Sequence, residues 1–329
     1  MEYNNKTSLQ KFKNKKEIEE CEIRLNNELI KFNYLHRFKK EGNYTITYSF
    51  KNKLTNINNL FSECSSLISI DLSNFNTQNL KNMGSIFYGC SSLKDINLSN
   101  FNTKNVIDMN SLFYGCSSLI KIDLSNFSTQ NVTDMNSMFY GCSSLKEIDL
   151  TKFNTQNVKN MGKMFYKCSS LKDIDLSNFK THNVTDMGYM FYGCSSLKII
   201  KLTNFKTNNV TDMSSMFYEC SSLDDIDLSS FNTKNITDMN SMFSRRSSLI
   251  SVDLSNFYIQ NVKNMCKMFS GCSSLVSINI YNFNPAKFSK SHGDIKKELC
   301  CMFNGCSALK RRIDIKDYKI REIIKKMNN

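Results

Sequence analysis

The sequence contains few of the features that enzymes use. The three histidines, His36, His182 and His292, stand far apart and in unrelated contexts. Neither a glycine-rich phosphate-binding loop nor the turn that carries a hydrolase nucleophile is present. Because catalysis needs several groups that converge on one pocket, the sequence argues against an enzyme, and it predicts no catalytic residue and no cofactor.

Long apolar stretches are also missing. The chain has no run of about 18 apolar residues, so we expect no transmembrane helix. Its N-terminus, M-E-Y-N-N-K-T-S-L-Q-K-F-K-N-K-K, lacks the apolar segment of a secretory signal. With thiols that are expected to be reduced, this favours a cytoplasmic location.

The formal net charge of +13 is concentrated at the two ends of the chain. Residues 1–53 carry a net charge of +5 and residues 287–329 carry +7, whereas the stretch between them carries only +1. A solenoid that binds nucleic acid should carry basic residues along its binding face. The distribution therefore argues against a nucleic-acid partner.

What the chain does contain is a repeat. The pattern V-T-D-M-N-S-M-F-Y-G-C-S-S-L-K-E-I-D-L-T-K-F, at residues 132–153, recurs every 26 residues from about residue 54 to residue 309. A fixed period of this size is typical of a solenoid. The cysteine marks each unit, at Cys64, Cys90, Cys116, Cys142, Cys168, Cys194, Cys220, Cys272 and, after an insertion, Cys306, with Arg246 in the same place in one unit.

The order of apolar residues within one unit predicts its local structure. Val132, Met135, Met138 and Phe139 have the spacing of one helical face. The following L-K-E-I-D-L segment has the leucine-rich L-x-x-L-x-L skeleton, with its strand at residues 148–150. The sequence thus predicts a leucine-rich repeat solenoid of period 26, with one short parallel strand and one short helix per coil, capped at both ends.

Polar positions recur as well. Asp134 precedes the apolar stripe and is placed to accept a hydrogen bond from free backbone N–H groups. Gly141 follows the stripe and fits a left-handed turn. An Asn column, of which Asn131 and Asn183 are members, predicts a ladder of amide hydrogen bonds between coils.

Four segments are expected along the chain. Residues 1–20 are predicted to be a flexible polar tail. Residues 21–52 form a β-rich capping module with a hairpin at Asn26-Asn27, since a solenoid needs covered ends. Residues 53–309 are the solenoid, with an insertion at about 285–293, and residues 310–329 supply a C-terminal strand and a basic helical cap.

The cysteine column favours packing over chemistry. A free cysteine behaves as a small apolar residue, so we expect a buried stack of thiols, with inter-coil disulfides as the alternative in an oxidising compartment. His292, Cys300, Cys301 and Cys306 do not have the spacing of a zinc site. Arg246 interrupts the column, and because a buried unpaired guanidinium is costly, Arg245 and Arg246 are predicted to point to solvent.

The repeat motif also indicates a family. The pattern D-M-x-S-M-F-Y-G-C-S-S-L-x-x-I-D-L-S-N-F-N-T-x-N-V-T resembles the BspA-type leucine-rich repeat surface proteins, over residues 54–309. The resemblance implies a leucine-rich solenoid used in adhesion or protein–protein interaction, without enzymatic activity. Many relatives are displayed at the cell surface, which suggests that location as an alternative.

Residues between the inward-facing ones on the strands predict an open, largely acidic sheet face. One interpretation is a site for a basic protein partner or for cations, and the other is a solvated face copied with the repeat. We expect a monomeric, non-enzymatic interaction scaffold, or alternatively a cell-surface adhesin that binds host or matrix components. The candidate partner-binding residues are Asp95, Asp123, Glu147, Asp149, Asp173, Asp175, Asp225, Asp227, Asp253, Arg245 and Arg246.

Overall fold

Successive repeats stack in parallel and form β-bridges to one another at one equivalent position of each repeat. In the computed structural model, which describes residues 21–31, 40–50, 54–283, 302–309 and 312–314, this position forms β-bridges between coils 26 residues apart. The bridges run without interruption through Asn56, Asn82, Asp108, Asp134, Asn160, Asp186, Asp212, Asp238 and Asn264. The chain is therefore a repeat solenoid.

The helix predicted in each coil is wrong for the coils between residues 54 and 283, because their apolar stripe is built from consecutive tight turns. The Tyr140 N–H donates to the Ser137 carbonyl three residues back (3.1 Å), whereas the Phe139 N–H donates to the Met164 carbonyl of the next coil (2.9 Å). Ser137 and Gly141 have φ angles of 56° and 69°, a region that a right-handed helix excludes. Half of the stripe's N–H groups thus bond between coils.

These turns nevertheless bury the residues that the spacing selects. Val132, Met135, Met138 and Phe139 are fully buried, as are their equivalents in most other coils. The Phe139 ring stacks on the Phe rings of the coils before and after it, with centroids 5.7 and 5.6 Å apart. A three-residue turn places an apolar residue inward every third position, just as a helical face does, so the two structures share one sequence pattern.

Thiols form a second internal column. Cys142 is buried and its Sγ lies 3.1 Å from the Phe113 carbonyl of the preceding coil, to which it donates. Burial raises the pKa of the Cys142 thiol to about 12, so it is neutral at physiological pH. The cysteines that the structure describes are free thiols, and the column serves packing and hydrogen bonding.

The parallel strands on the other side of the coils are short and discontinuous. The prediction of one strand per coil is wrong for the described coils at residues 121–123, 147–149 and 225–227, which contain no strand. The strands are β4 (Ser69–Asp71) paired with β5 (Asp95–Asn97), β6 (Asp173–Asp175) paired with β7 (Ile199–Lys201), and β8 (Ser251–Asp253) paired with β9 (Ser277–Asn279), which also pairs with β10 (Arg312–Asp314).

Opposed carboxylates coincide with some of these gaps, although the gap between Lys201 and Asp227 has no like charges. None of the four parallel strand pairs in the described residues brings two acidic residues opposite each other. In the β6–β7 pair, for example, Asp175 lies opposite Lys201. The repeat register places Asp149 between Asp123 and Asp175, in junctions without a strand ladder. Like charges directly opposite destabilise a strand pair, so stacked carboxylates weaken the ladder where they meet.

The N-terminal sheet is antiparallel and precedes the first coil. It consists of β1 (Glu22–Leu25), β2 (Glu28–Ile30) and β3 (Ile46–Ser49), in the order β2-β1-β3. Asn26 and Asn27 form the hairpin turn between β1 and β2 with φ angles of 46° and 71°. The predicted tail at 1–20, the insertion at about 285–293 and the C-terminal helix at 318–327 lie outside the described residues.

The predicted Asn ladder is confirmed at the edge of the stack. The Asn131 amide donates to the Lys104 carbonyl of the preceding coil (2.8 Å), and Asn183 donates to Gln156 in the same way (2.7 Å). Asp134 also has its predicted role as an acceptor, since its Oδ1 receives the Asn136 N–H at 2.8 Å. In the part of the chain that the structure describes, no helix has the length and apolar character to cross a membrane.

Candidate functional site

The strand-terminal column of the sheet face is held by local hydrogen bonds. Asp123, Asp149, Asp175, Asp227 and Asp253 each accept the backbone N–H two residues later on Oδ1, at 2.8 to 3.0 Å. This Asx-turn fixes the carboxylate and ends the strand segment. Backbone and hydroxyl donors lower the pKa of Asp123 and Asp149, so both are ionised at neutral pH.

A second acidic column lies two residues earlier in each unit and is exposed to solvent. It includes Asp95, Glu147, Asp173 and Asp225. The Asp225 carboxylate accepts the N–H of Ile226 at 2.8 Å. The inward-facing residue between the two columns is packed against the core, as Ile174 is, which leaves both flanking carboxylates on the surface.

Two lysines divide this face. Lys201 forms an exposed ion pair with Asp175, with Nζ and Oδ2 2.8 Å apart, and this contact is the main reason that the pKa of Asp175 falls to about 2. Lys121 occupies the second column nearer the N-terminus. What remains is a first acidic patch (Asp123, Glu147, Asp149, Asp173, Asp175) and a second acidic patch (Asp224, Asp225, Asp227, Asp253).

One residue of the second acidic patch was not among the predicted candidates. Asp224 belongs to the second acidic patch and was missed, because in most other coils its position holds lysine or isoleucine. Within the described residues, no group of three or more His, Cys, Asp or Glu side chains is arranged to hold a metal ion. The sheet face therefore presents carboxylates in rows and not in a convergent cage.

The prediction that Arg246 points to solvent is wrong. The side chain is fully buried, and one guanidinium nitrogen donates to the Leu223 carbonyl at 2.7 Å. The guanidinium carbon lies 5.7 Å from the Phe243 ring centroid. Its Nε and Nη1 have no hydrogen-bond partner among the described residues. Arg246 lies in the thiol column, and its carbonyl accepts the Leu249 N–H at 3.2 Å, as the cysteine carbonyls do in neighbouring coils.

Arg245, by contrast, is exposed and has a φ of 59°, at the position where most coils have glycine. Its guanidinium lies over the Tyr218 ring, 5.7 Å from the centroid. Tyr218 ends a tyrosine stack that the sequence analysis missed, although its 26-residue spacing is visible. The stack comprises Tyr88, Tyr114, Tyr140, Tyr166, Tyr192 and Tyr218, with neighbouring centroids 4.2 to 4.5 Å apart.

Some solved structures show a distant similarity to this chain. One is a leucine-rich repeat protein from Bacteroides ovatus, with 19% identity and a TM-score of 0.37, covering 88% of this chain and 92% of that one. Another is the TLR13–ssRNA13 complex, with 15% identity and a TM-score of 0.33, covering 83% of this chain and 44% of that one.

Among curated proteins, no match to the chain was found. The family model described as "Mycoplasma protein of unknown function, DUF285" matches four overlapping segments, at residues 31–122, 120–201, 194–298 and 254–329. These segments together cover the solenoid and both of its ends. The chain therefore belongs to this DUF285 family of proteins of unknown function.

Proposed function

We propose that the protein is a non-enzymatic interaction scaffold, a leucine-rich solenoid of the BspA type, that binds a basic protein partner through the first acidic patch. The observation that supports this is the row of Asp123, Asp149 and Asp175, which the repeat places about 4.8 Å apart. Asp175 is already paired with Lys201, whereas Asp123 and Asp149 repel each other and would be neutralised by a cationic ligand. Solenoids bind through extended faces of this kind.

The partner that suits this face is a protein with lysine or arginine in an exposed segment. Asp123 and Asp149 each commit one oxygen to an Asx-turn, and the remaining oxygen is available as an acceptor. Bidentate arginine contacts and single lysine contacts both fit rows of carboxylates held in fixed positions. Electrostatic attraction of this kind speeds association and weakens as salt concentration rises.

The proposal also assigns the N-terminal sheet a capping role. The Tyr48 ring meets the Phe61 ring edge-on at 5.8 Å, and Phe50 meets Phe75 in the same way at 5.4 Å. These contacts cover the aromatic residues of the first coil, which has no preceding repeat. A solenoid requires such a cover at its end.

Capture from native extract tests the proposal. The double variant Asp149→Asn/Asp173→Asn removes two charges and keeps the Asx-turn acceptor of Asp149. The control Glu63→Gln/Glu219→Gln removes two charges from the opposite side of the coils. We expect a protein retained by wild type and by the control to be lost by the sheet-face variant, and equal retention by all three would contradict the proposed face.

A cell-surface adhesin is the second candidate, and the quoted repeat motif with its resemblance to surface proteins favours it. The same three baits can be applied to a cell-surface extract and to a cytosolic lysate. A partner found only in the surface or matrix fraction would support the adhesin, whereas a partner found only in the lysate would contradict it.

A further inference from the structure

The tyrosine stack lies partly at the surface of the solenoid. Its six rings are partly exposed and nearly parallel, with interplanar angles of 3 to 12° between neighbours. Burial raises the pKa of Tyr192 to about 12, so its hydroxyl is neutral at physiological pH. Tyrosine is enriched in protein–protein contacts because its ring is large and rigid and its hydroxyl is polar. A half-exposed row of six tyrosines is therefore a candidate docking surface.

The residues that directly follow the tyrosines shape the surface beside the rings. Gly89, Gly115 and Gly141 follow the first three tyrosines, so no side chain stands next to these rings in that column. Further along, Lys167 is exposed, and one of its side-chain carbons lies 3.1 Å from the point that a Cβ on Gly193 would occupy. The column is therefore open beside the first half of the stack and filled in the second half.

Charged residues of opposite sign stand in the same column one coil beyond each end of the stack. Glu63 lies before Tyr88, and its carboxylate is 3.1 Å from the point that a Cβ on Gly89 would occupy. Arg245 lies after Tyr218 and covers its ring. Neither charge forms an ion pair with another residue in the described part of the chain. We call the tyrosine stack and this column the tyrosine–glycine strip; the column consists of Glu63, Gly89, Gly115, Gly141, Lys167, Gly193, Glu219 and Arg245.

We propose that the tyrosine–glycine strip binds a second copy of this chain in an antiparallel, two-fold symmetric dimer. A two-fold contact joins the same surface of both copies. The axis crosses the strip between Tyr140 and Tyr166, the middle of the stack, so Tyr88 of each copy faces Tyr218 of the other. All six rings of both copies then take part in the contact.

Charge supports this register. With the axis at the middle of the stack, Glu63 of each copy lies opposite Arg245 of the other, and the symmetry forms this pair twice. A shift by one coil in one direction would place Glu63 opposite Glu219. A shift in the other direction would place the two Lys167 side chains opposite each other. Opposed like charges disfavour both alternatives.

Shape supports the same register. Lys167 of one copy lies opposite Gly141 of the other, and Glu219 lies opposite Gly89, so the filled half of each strip meets the open half of its partner. A second copy also repeats its rings at the same spacing of 4.2 to 4.5 Å, which a partner of another period would not match over six coils. Together with the charges, these two matches select a second copy as the occupant.

The contact is long and narrow. The eight coils from Glu63 to Arg245 extend over about 34 Å, at about 4.8 Å per coil, but the strip is only two side-chain columns wide. Such a contact is smaller than the interfaces of stable complexes, so we expect a weak, reversible dimer in place of the monomer expected from the sequence. The sheet face is not part of the strip. The dimer therefore goes beyond the proposed partner binding, and the failure of either proposal would leave the other intact.

Sedimentation equilibrium of the full chain between about 1 µM and about 200 µM tests the proposal. We expect the dimer fraction of wild type to rise through this range. Glu63→Arg and Arg245→Glu each replace two opposite-charge contacts by like-charge contacts, so each should weaken dimerisation by about tenfold or more. The double variant Glu63→Arg/Arg245→Glu makes the charges opposite again and should restore most of the affinity. Lys104→Glu makes the same charge change as Arg245→Glu at an exposed residue outside the strip, and should dimerise like wild type.

Three outcomes would overturn the proposal. A wild-type chain that stays monomeric up to about 200 µM would show that a second copy is not the occupant of the strip. A dimer that both single variants leave unchanged would have its contact elsewhere. A double variant that dimerises no better than the single variants would exclude the antiparallel register. Unchanged thermal unfolding of the variants, measured by circular dichroism, ensures that a change in dimerisation reflects the strip itself.

Discussion

The two sides of each coil differ in how regularly their contacts continue from one coil to the next. On the turn side, represented by residues 134–142, β-bridges and stacked phenylalanines continue from coil to coil without a break, and the thiol column is interrupted at Arg246. On the strand side, represented by residues 145–150, the ladder is interrupted and the exposed residues change between acidic, basic and apolar. The comparison indicates that the turn side holds the solenoid together, which leaves the strand side free to vary in sequence.

Alkaline pH should disrupt the turn side most strongly. Burial raises the pKa of the Cys142 and Cys220 thiols from 9.0 to about 12. Below pH 9 the thiols are neutral in both states, so their stabilising effect is complete. As pH rises from 9 to 12, the unfolded chain ionises first and the folded state loses stability, by about 1.4 kcal/mol for each thiol at pH 10.

Urea unfolding monitored between pH 7 and pH 11, or thereabouts, checks this expectation. Cys142→Ala removes one ionisable thiol and should make the decline less steep. A midpoint that stays constant across this range would show that the thiols ionise equally in both states.

Removing one ring from the turn side should cost more than removing any side chain from the sheet face. Phe165 is fully buried between Phe139 and Phe191, so Phe165→Ala should lower the free energy of unfolding by about 3–5 kcal/mol. Glu147→Ala, on the exposed strand side, should change it by less than about 0.5 kcal/mol. Similar losses for both variants in urea unfolding would remove the distinction between the two sides.

Repairing the one fault in the thiol column should stabilise the turn side. Arg246 is buried with two unpaired nitrogens, and Arg246→Cys restores the residue of the neighbouring coils. We expect a gain of about 1–3 kcal/mol, the cost of a buried polar group without partners. Arg245→Gly, which relieves a positive φ but removes the contact with the Tyr218 ring, should gain about 1 kcal/mol or less.

Differential scanning calorimetry of the two arginine variants measures both gains. If Arg246→Cys melts at or below the wild-type temperature, the guanidinium is accommodated at no cost, and the thiol column does not limit stability.

The smallest effect concerns charge on the strand side. Asp149→Asn keeps the acceptor for the Thr151 N–H and removes the repulsion between Asp149 and its neighbours Asp123 and Asp175. We expect a gain of a few tenths of a kcal/mol at low ionic strength, since exposed charges interact weakly in water. The gain should vanish at high salt, and a gain that persists in 1 M salt or so would have another cause.

The sequence predicted the period and the inward-facing residues, because each apolar position recurs in nearly every unit. It did not distinguish a helix from a series of turns, since both place Met135, Met138 and Phe139 on one side. The φ angles that decide between them are those of Ser137 and Gly141. Serine is not a residue type that predicts a left-handed conformation.

The candidate site was predictable only in part. Alternation along the strand identified the exposed acidic columns, but it did not reveal that the strand is missing at residues 121–123, 147–149 and 225–227. The prediction for Arg246 was wrong because it considered the cost of burying the charge without the backbone hydrogen bonds of its coil.

The most direct test of the central claim is the affinity of a labelled oligolysine peptide for three forms of the protein, measured by fluorescence anisotropy at low salt. The forms are wild type, the sheet-face variant Asp149→Asn/Asp173→Asn and the turn-side control Glu63→Gln/Glu219→Gln. If the strand side carries binding, the sheet-face variant alone binds more weakly, by about tenfold or more. Equal affinity in all three forms would show that the acidic patch is a solvated surface without a binding role.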